Sequence, residues 1–224
     1  MERLKMNSCP KNARQRKRSA SSAAAHACAA AAVALALAAA PAAQAASAQP
    51  PDNAYPVEVV NGDFAQPHQV GQYTSIAPAT GIEGWTLIGS GIDMYSETLC
   101  NRDDDQQCLD LNNQYSPGGL SQVLHVTPGA WVHVKFESTR SMYGSCYNWG
   151  PNGGAVPFNV KIEGKEPYRV DPPARSSAQP AVWESHNVSF LATKATHRLT
   201  FESVQRTQGT CGAVIADVSA FEVY

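Results

Sequence analysis

The stretch Trp131-Val132-His133-Val134-Lys135-Phe136 decides the fold. Its even-numbered residues are apolar and alternate with a row made of Trp131, His133 and Lys135. A strict two-residue period is the pattern of a strand with one face buried and one face turned to solvent. We therefore expect this segment to be a half-buried strand of a sheet.

Similar runs follow one another along the chain, separated by Gly, Pro, Asn and Asp, and no 11-residue stretch shows a helical apolar period. The predicted strands cover residues 57–60, 85–88, 92–95, 109–111, 120–126, 158–162, 183–190, 197–203 and 213–223. About ten strands without crossover helices predict an all-β fold, an antiparallel jelly-roll β-sandwich. Pro128-Gly129 predicts a tight hairpin turn, and residues 169–180 predict a surface loop.

The first 48 residues differ in composition from the rest of the chain. A basic stretch ending at Arg18 is followed by 29 residues, 20–48, that contain 19 alanines and no charged residue. This pattern, with a small-residue cleavage site at Ala46-Ser47-Ala48, predicts a cleaved signal peptide over residues 1–48. The apolar run is too short for a membrane anchor. We expect a flexible leader at 49–56, a single domain at 57–224 and no transmembrane anchor in the mature chain.

The charge balance changes once the signal peptide is set aside. Seven of the 17 Lys and Arg residues, but only one of the 19 acids, precede residue 19, so the mature chain has a net charge of about −8. Nucleic acids and anionic membranes require clustered basic residues, and no such cluster follows Gln49. Nucleic acid is therefore excluded as an expected partner.

Four cysteines remain in the mature chain: Cys100, Cys108, Cys146 and Cys211. An even number in an exported protein predicts two disulfides, for which three pairings are possible. The spacing favours Cys100 with Cys108 and Cys146 with Cys211. Zinc is the alternative, but the chain lacks the Cys-x-x-Cys spacing of structural zinc sites.

A set of short motifs recurs in a fixed order along the chain. They are Asn61-Gly62-Asp63-Phe64, Gly84-Trp85, Gly89-Ser90-Gly91-Ile92-Asp93, Leu109-Asp110-Leu111-Asn112, Gly118-Gly119-Leu120-Ser121-Gln122-Val123-Leu124, Thr127-Pro128-Gly129, Leu199-Thr200-Phe201-Glu202-Ser203 and Cys211-Gly212-Ala213-Val214-Ile215-Ala216-Asp217-Val218-Ser219. In this order they resemble the choice-of-anchor C family, which is related to plant cell-wall proteins of the domain-of-unknown-function type.

The resemblance implies an exported, galactose-binding-domain-like domain with affinity for cell-wall or matrix polysaccharide and no established catalytic residue. The first and last motifs also look like those of carbohydrate-binding modules that hold a structural calcium between their first and last strands. Such modules usually have Glu after the Phe, where this chain has Ala65. That leaves Asp63 and Asp217, with carbonyl help, as candidate calcium ligands, and no cofactor is expected to be required.

The segment 141–154 is the candidate binding loop. It carries Tyr143, Tyr147, Asn148, Trp149 and Asn152 in a sequence too rich in Gly and Pro for a strand interior. Aromatic rings stack on the apolar faces of sugars, and amides bind their hydroxyls. The alternative is an aromatic cluster that caps one end of the sandwich.

Three functions fit these patterns. The first is a non-catalytic carbohydrate-binding or surface-matrix module, the second a structural or adhesive envelope protein that binds another protein, and the third a glycan hydrolase. The sequence contains no nucleophile elbow, zinc-protease motif or phosphate loop. Its acids Asp93 and Asp110 lie in predicted strands, and the run 103–105 reads as a solvated turn. We therefore expect the protein not to be an enzyme.

Overall fold

The computed structural model describes residues 53–102, 106–113, 116–144, 146, 155–173, 181–204 and 211–224. The predicted signal peptide and most of the predicted leader lie outside the described residues. Within the described part of the chain, no helix is long and apolar enough to cross a membrane.

The described residues form thirteen strands and one short helix. In chain order they are β1 (Tyr55–Val57), β2 (Tyr73–Ile76), β3 (Thr86–Gly89), β4 (Ile92–Tyr95), α1 (Glu97–Cys100), β5 (Cys108–Asp110), β6 (Asn112–Asn113), β7 (Ser116–His125), β8 (Trp131–Arg140), β9 (Phe158–Ile162), β10 (Tyr168–Val170), β11 (Glu184–Leu191), β12 (Thr196–Ser203) and β13 (Ala213–Val223).

The strands build two antiparallel sheets. The seven-stranded sheet has the order β11-β8-β13-β5-β4-β2, with β1 paired to β13, and the six-stranded sheet has the order β10-β9-β12-β7-β3, with β6 paired to β7. Alternation along β8 places Val132, Val134 and Phe136 in the buried core. The ring of Phe136 contacts Phe201 of the other sheet at a centroid distance of 5.1 Å. The predicted all-β sandwich is confirmed.

The turn at Pro128-Gly129 is tight, because the amide of Ala130 donates to the carbonyl of Thr127 at 3.1 Å. The prediction of a hairpin there was wrong, since β7 belongs to the six-stranded sheet and β8 to the seven-stranded sheet. Turn residues specify a sharp reversal of the chain, but the partner of each strand is set by pairing with distant segments.

Several elements differ from the sequence-based expectation. The short helix α1 and the two-residue strand β6 were not predicted. β2 and β10 were not predicted either, and β10 occupies the start of the expected loop 169–180. Both strands are short and mostly exposed, so their alternation is weak. β1 also begins before the expected strand 57–60, because Tyr55, within the expected leader, pairs with Glu222 of β13.

Both expected cysteine pairs form disulfides. Cys100 is bonded to Cys108, and Cys146 to Cys211. The first bond ties the end of α1 to the start of β5. α1 begins after Ser96, which caps the helix because its side chain accepts a hydrogen bond from the amide of Leu99.

Candidate functional site

The candidate site lies on the outer face of the seven-stranded sheet, opposite the main core. The register aligns Tyr73 with Tyr95 and Ser75 with Asp93, while Met94 points inward to the core. Since side chains alternate along a strand, Tyr73, Asp93 and Tyr95 share the outer face. β2, which the sequence did not predict, therefore supplies one of the site's rings.

The described first residues of the candidate binding loop, 141–144, reach the same face, where Tyr143 contacts Tyr73. Tyr143 is half-buried, and its ring packs edge-on against Tyr73 with a centroid distance of 4.9 Å. A hydrogen bond with Tyr73 raises the pKa of the Tyr143 hydroxyl. Tyr147, Asn148, Trp149 and Asn152 lie outside the described residues. For Tyr143, the aromatic contact has the geometry expected of a cap.

The base of this loop is held covalently and by backbone hydrogen bonds. The disulfide joins Cys146 to Cys211 with a Cα separation of 5.0 Å. Beside it, the amide of Ser141 donates to the carbonyl of Gly212 at 3.1 Å, and the amide of Cys146 donates to Tyr143 at 3.0 Å. These contacts anchor the segment before residue 147 to the start of β13.

Tyr73, Asp93, Tyr95 and Tyr143 surround a small cleft of about 10 Å³, which has room for one water molecule. The carboxylate of Asp93 is buried and accepts a hydrogen bond from the hydroxyl of Ser75 at 2.5 Å. The cleft therefore brings a carboxylate acceptor next to aromatic rings. A cleft of this size is too small for a sugar ring, so a sugar would contact the partly exposed rings of Tyr73 and Tyr143 at its mouth.

Below the cleft, Asp110 is completely buried in a polar network. Its Oδ2 accepts from the Tyr95 hydroxyl at 2.8 Å and from the Gly212 amide at 3.3 Å, while its Oδ1 accepts from the Asn112 amide at 2.9 Å. Burial raises the pKa of Asp110 to about 7, and the donated hydrogen bonds work in the opposite direction. Asp110 is sealed from solvent, so it supports the cleft from beneath instead of contacting a ligand.

The candidate calcium ligands Asp63 and Asp217 are both exposed. Asp63 follows Gly62, and Asp217 precedes Val218. The backbones of Gly62 and Val218 are joined, because the amide of Val218 donates to the carbonyl of Gly62 at 2.8 Å. Oδ1 of Asp63 accepts from the amide of Ala65 at 3.2 Å. In the described part of the chain no group of three or more His, Cys, Asp or Glu could hold a metal ion. A calcium ion here would need several backbone carbonyls.

A second aromatic surface occupies the other end of the same outer face. Trp131 is 53% exposed. The imidazole of His133 stacks on Phe221 at 4.8 Å, and the ammonium of Lys135 lies 5.1 Å from the same ring. Burial and the charge of Lys135 lower the pKa of His133. The sequence placed these three β8 residues on the outer face but missed Phe221, which becomes visible only through the β8–β13 register.

Comparison with known proteins shows the fold and the family. A Stig cyclase from Fischerella sp. TAU, solved with an indole compound, matches with a TM-score of 0.53 and 12% identity, over 75% of this chain and 98% of that chain. The structure titled TmCBM61 in complex with β-1,4-galactotriose matches with a TM-score of 0.43 and 14% identity, over 62% and 88%. At 12% identity the match to the cyclase shows a shared fold and nothing further.

No curated protein matches the sequence significantly. The profile of the family described as "Protein of unknown function (DUF642)" matches residues 57–220. This match confirms the relation to a domain-of-unknown-function family, whereas membership of the choice-of-anchor C family stays a prediction. Because the match covers most of the sequence, the chain belongs to the DUF642 family.

Proposed function

We propose that the protein is an exported, non-catalytic carbohydrate-binding module that recognises a polysaccharide or cell-surface glycan. The observation that supports this is the Tyr73–Tyr143 ring pair beside the buried carboxylate of Asp93, at the base of an aromatic-rich loop. Rings and a fixed acceptor are the groups that a sugar surface needs.

The loop residues extend this surface in the proposal. Trp149 and Tyr147 supply stacking faces, and Asn148 and Asn152 supply the paired donors and acceptors that bind adjacent hydroxyls. The disulfide at Cys146 restrains the loop at its base, and such restraint reduces the ordering cost of binding.

Export is part of the same proposal. The alanine-rich segment 20–48 has the composition of a signal peptide, and two disulfides are typical of proteins that function in oxidising compartments. A polysaccharide outside the cytoplasm would then be accessible to the protein.

The test is Trp149→Ala in the oxidised protein, with affinity electrophoresis in gels that contain pectic or cellulosic polysaccharide. Loss of one stacking ring should weaken binding by about 1–3 kcal/mol. Trp131→Ala is the matched control, because it removes an exposed tryptophan from the far end of the same face. If Trp149→Ala is retarded as much as the parent and its melting temperature is unchanged, the loop is not the sugar-binding site. If only Trp131→Ala loses retardation, the binding site is the His133–Phe221 surface.

A protein partner is the second candidate function, and one observation favours it. Trp131 lies directly opposite Leu191 in the β8–β11 register, and both side chains are exposed. Adjacent exposed apolar side chains are common at protein interfaces. Binding to an envelope fraction that free oligosaccharides do not compete, but that Trp131→Ala removes, would establish this function in place of the first.

A further inference from the structure

A groove lies on the opposite side of the sandwich, against the six-stranded sheet. It has a volume of about 380 Å³, in the size range of small-ligand sites. β3 pairs with the first half of β7, and this pairing stops at Thr86, the first residue of β3, opposite Ser121. Beyond that point the groove is bordered by Glu58 and Val60, so it fills the space where the edge strand stops.

Hydrogen bonds connect the segments that line the groove. The side chain of Gln122 is buried and donates to the carbonyls of Val60 at 2.9 Å and Gly84 at 2.8 Å. Its oxygen accepts from the amide of Val60 at 2.8 Å. Gly84 has φ +76, and an added Cβ would approach Val60 to 2.8 Å. Hydrogen bonds to Gln122 therefore tie the backbone at Val60 and Gly84 to β7 along the groove.

The groove is lined by opposite charges that do not neutralise each other. Arg198 projects from β12, and its guanidinium makes one long contact of 3.4 Å with the hydroxyl of Ser121. Glu58 stands on the rim, and His125 extends from β7; within the described part of the chain neither forms a salt bridge. Arg198 and Glu58 therefore line one groove without forming an ion pair with each other.

These charges select the ligand class. An anion would be attracted by Arg198 and repelled by Glu58, and a cation the reverse. A neutral polyol accepts from the guanidinium and donates to the carboxylate through different hydroxyls, while Ser121 and Thr86 supply further hydroxyl contacts. We propose that this groove is a second binding site, for a neutral sugar unit, with Arg198 and Glu58 as its principal polar contacts.

The inference rests on the proposed function only for the class of ligand, since its residues are separate from the loop 143–152. The two sites lie on the outer faces of different sheets. One molecule therefore binds two glycan segments, and tethering at one site raises the effective concentration at the other.

The experiment measures the retardation of the oxidised protein by affinity electrophoresis in gels that contain neutral galactan, xylan or hydroxyethylcellulose. A gel with polygalacturonate is the anionic comparison. Arg198→Ala and Glu58→Ala should each weaken retardation in a neutral gel at least tenfold. The matched controls are Arg169→Ala on β10 and Glu166→Ala in the turn before it, both exposed and outside the groove. Neither control should change retardation.

The outcomes separate the two sites. If Arg198→Ala loses retardation and Trp149→Ala does not, the groove binds the sugar and the loop does not. If Trp149→Ala loses retardation and Arg198→Ala does not, the loop binds the sugar and the groove does not. Wild-type retardation of Arg198→Ala and Glu58→Ala in all three neutral gels overturns the groove. Stronger retardation in polygalacturonate than in every neutral gel, lost in Arg198→Ala but not in Glu58→Ala, overturns the assignment to a neutral sugar. Unchanged melting temperatures show that each variant is folded.

Discussion

The hydroxyl of Tyr95 donates a 2.8 Å hydrogen bond to the completely buried carboxyl of Asp110, and it lies 2.7 Å from the hydroxyl of Ser141. This contact connects β4 and β5 to the segment that leads into the candidate loop. Burial and the neighbouring charge of Asp110 raise the pKa of Tyr95 well above its usual value. Tyr95 therefore stays protonated, and its proton remains available to Asp110.

Asp110 should make the protein less stable as the pH rises from about 4 to about 7. Its pKa is about 7 in the folded protein against 3.8 ordinarily, so in this window the folded state holds a proton that the unfolded state has lost. Stability falls with pH wherever the folded state binds more protons, here by an amount on the order of 4 kcal/mol. The measurement is the free energy of unfolding of the parent and of Asp110→Asn at each pH. A difference between them that does not change from pH 4 to pH 8 contradicts the shift.

Tyr95→Phe should raise the pKa of Asp110 further, so that the loss of stability extends to higher pH. The hydrogen bond from Tyr95 lowers the pKa of Asp110, so its loss leaves burial less opposed. We also expect a loss of about 1–3 kcal/mol, because the buried Oδ2 of Asp110 loses its shorter hydrogen bond and keeps only the 3.3 Å one from the Gly212 amide. Tyr168→Phe is the control, since Tyr168 is exposed on β10. A pH profile of Tyr95→Phe that superimposes on the parent's would show that the hydroxyl does not act on Asp110.

Loss of the Cys146–Cys211 disulfide should cost more stability than loss of Cys100–Cys108. The two bonds span sequence separations of 65 and 8 residues. The chain-entropy relation gives about 4.3 and about 2.6 kcal/mol for loops of these lengths. Denaturant midpoints of the two double Cys→Ser variants would measure the order. Peptide mapping that joined Cys100 to Cys146 in the oxidised protein would contradict both pairings.

Folding should not require calcium. The turn at Asp63 is already fixed by the Ala65 amide, and hydrogen bonding between Val218 and Gly62 joins this turn to β13. We expect the melting temperature to stay the same in chelator and in millimolar calcium. An ion that binds only the folded state must raise it. A rise with calcium that Asp63→Asn or Asp217→Asn removes would instead establish the calcium site.

The bounds of several strands could be predicted from the sequence; burial alternates along β9, whereas every residue of β4 is buried. The predicted bounds of β4, β9 and β13 agree with the structure. β8 continues four residues beyond Phe136 to Arg140. The sequence pattern did not reveal this extension, because polar side chains such as Ser138 and Thr139 are buried there and hide the alternation. Local patterns report burial only when polarity and burial agree.

The candidate sites could not be predicted as constellations. Tyr73, Asp93 and Tyr143 come from three separate segments and meet only through the β2–β4 register and the disulfide at Cys146. The groove at Arg198 exists because β3 ends while β7 continues, and a strand's end relative to its neighbour is not encoded in either strand alone.

We expect Gly62, in the motif Asn61-Gly62-Asp63-Phe64, to tolerate no side chain. A Cβ built there would lie 2.0 Å from the carbonyl oxygen of Val218, which belongs to the backbone of β13 and cannot turn aside. Gly62→Ala must therefore separate the first turn from the last strand, at a cost of about 1–3 kcal/mol or more. The comparison is Gly164→Ala, where φ is +79 but nothing lies within 4 Å, so only the strain of a left-handed alanine is added. Thermal unfolding should rank Gly62→Ala below Gly164→Ala. The reverse order would mean that the contact between Gly62 and Val218 contributes little to holding the two ends of the domain together.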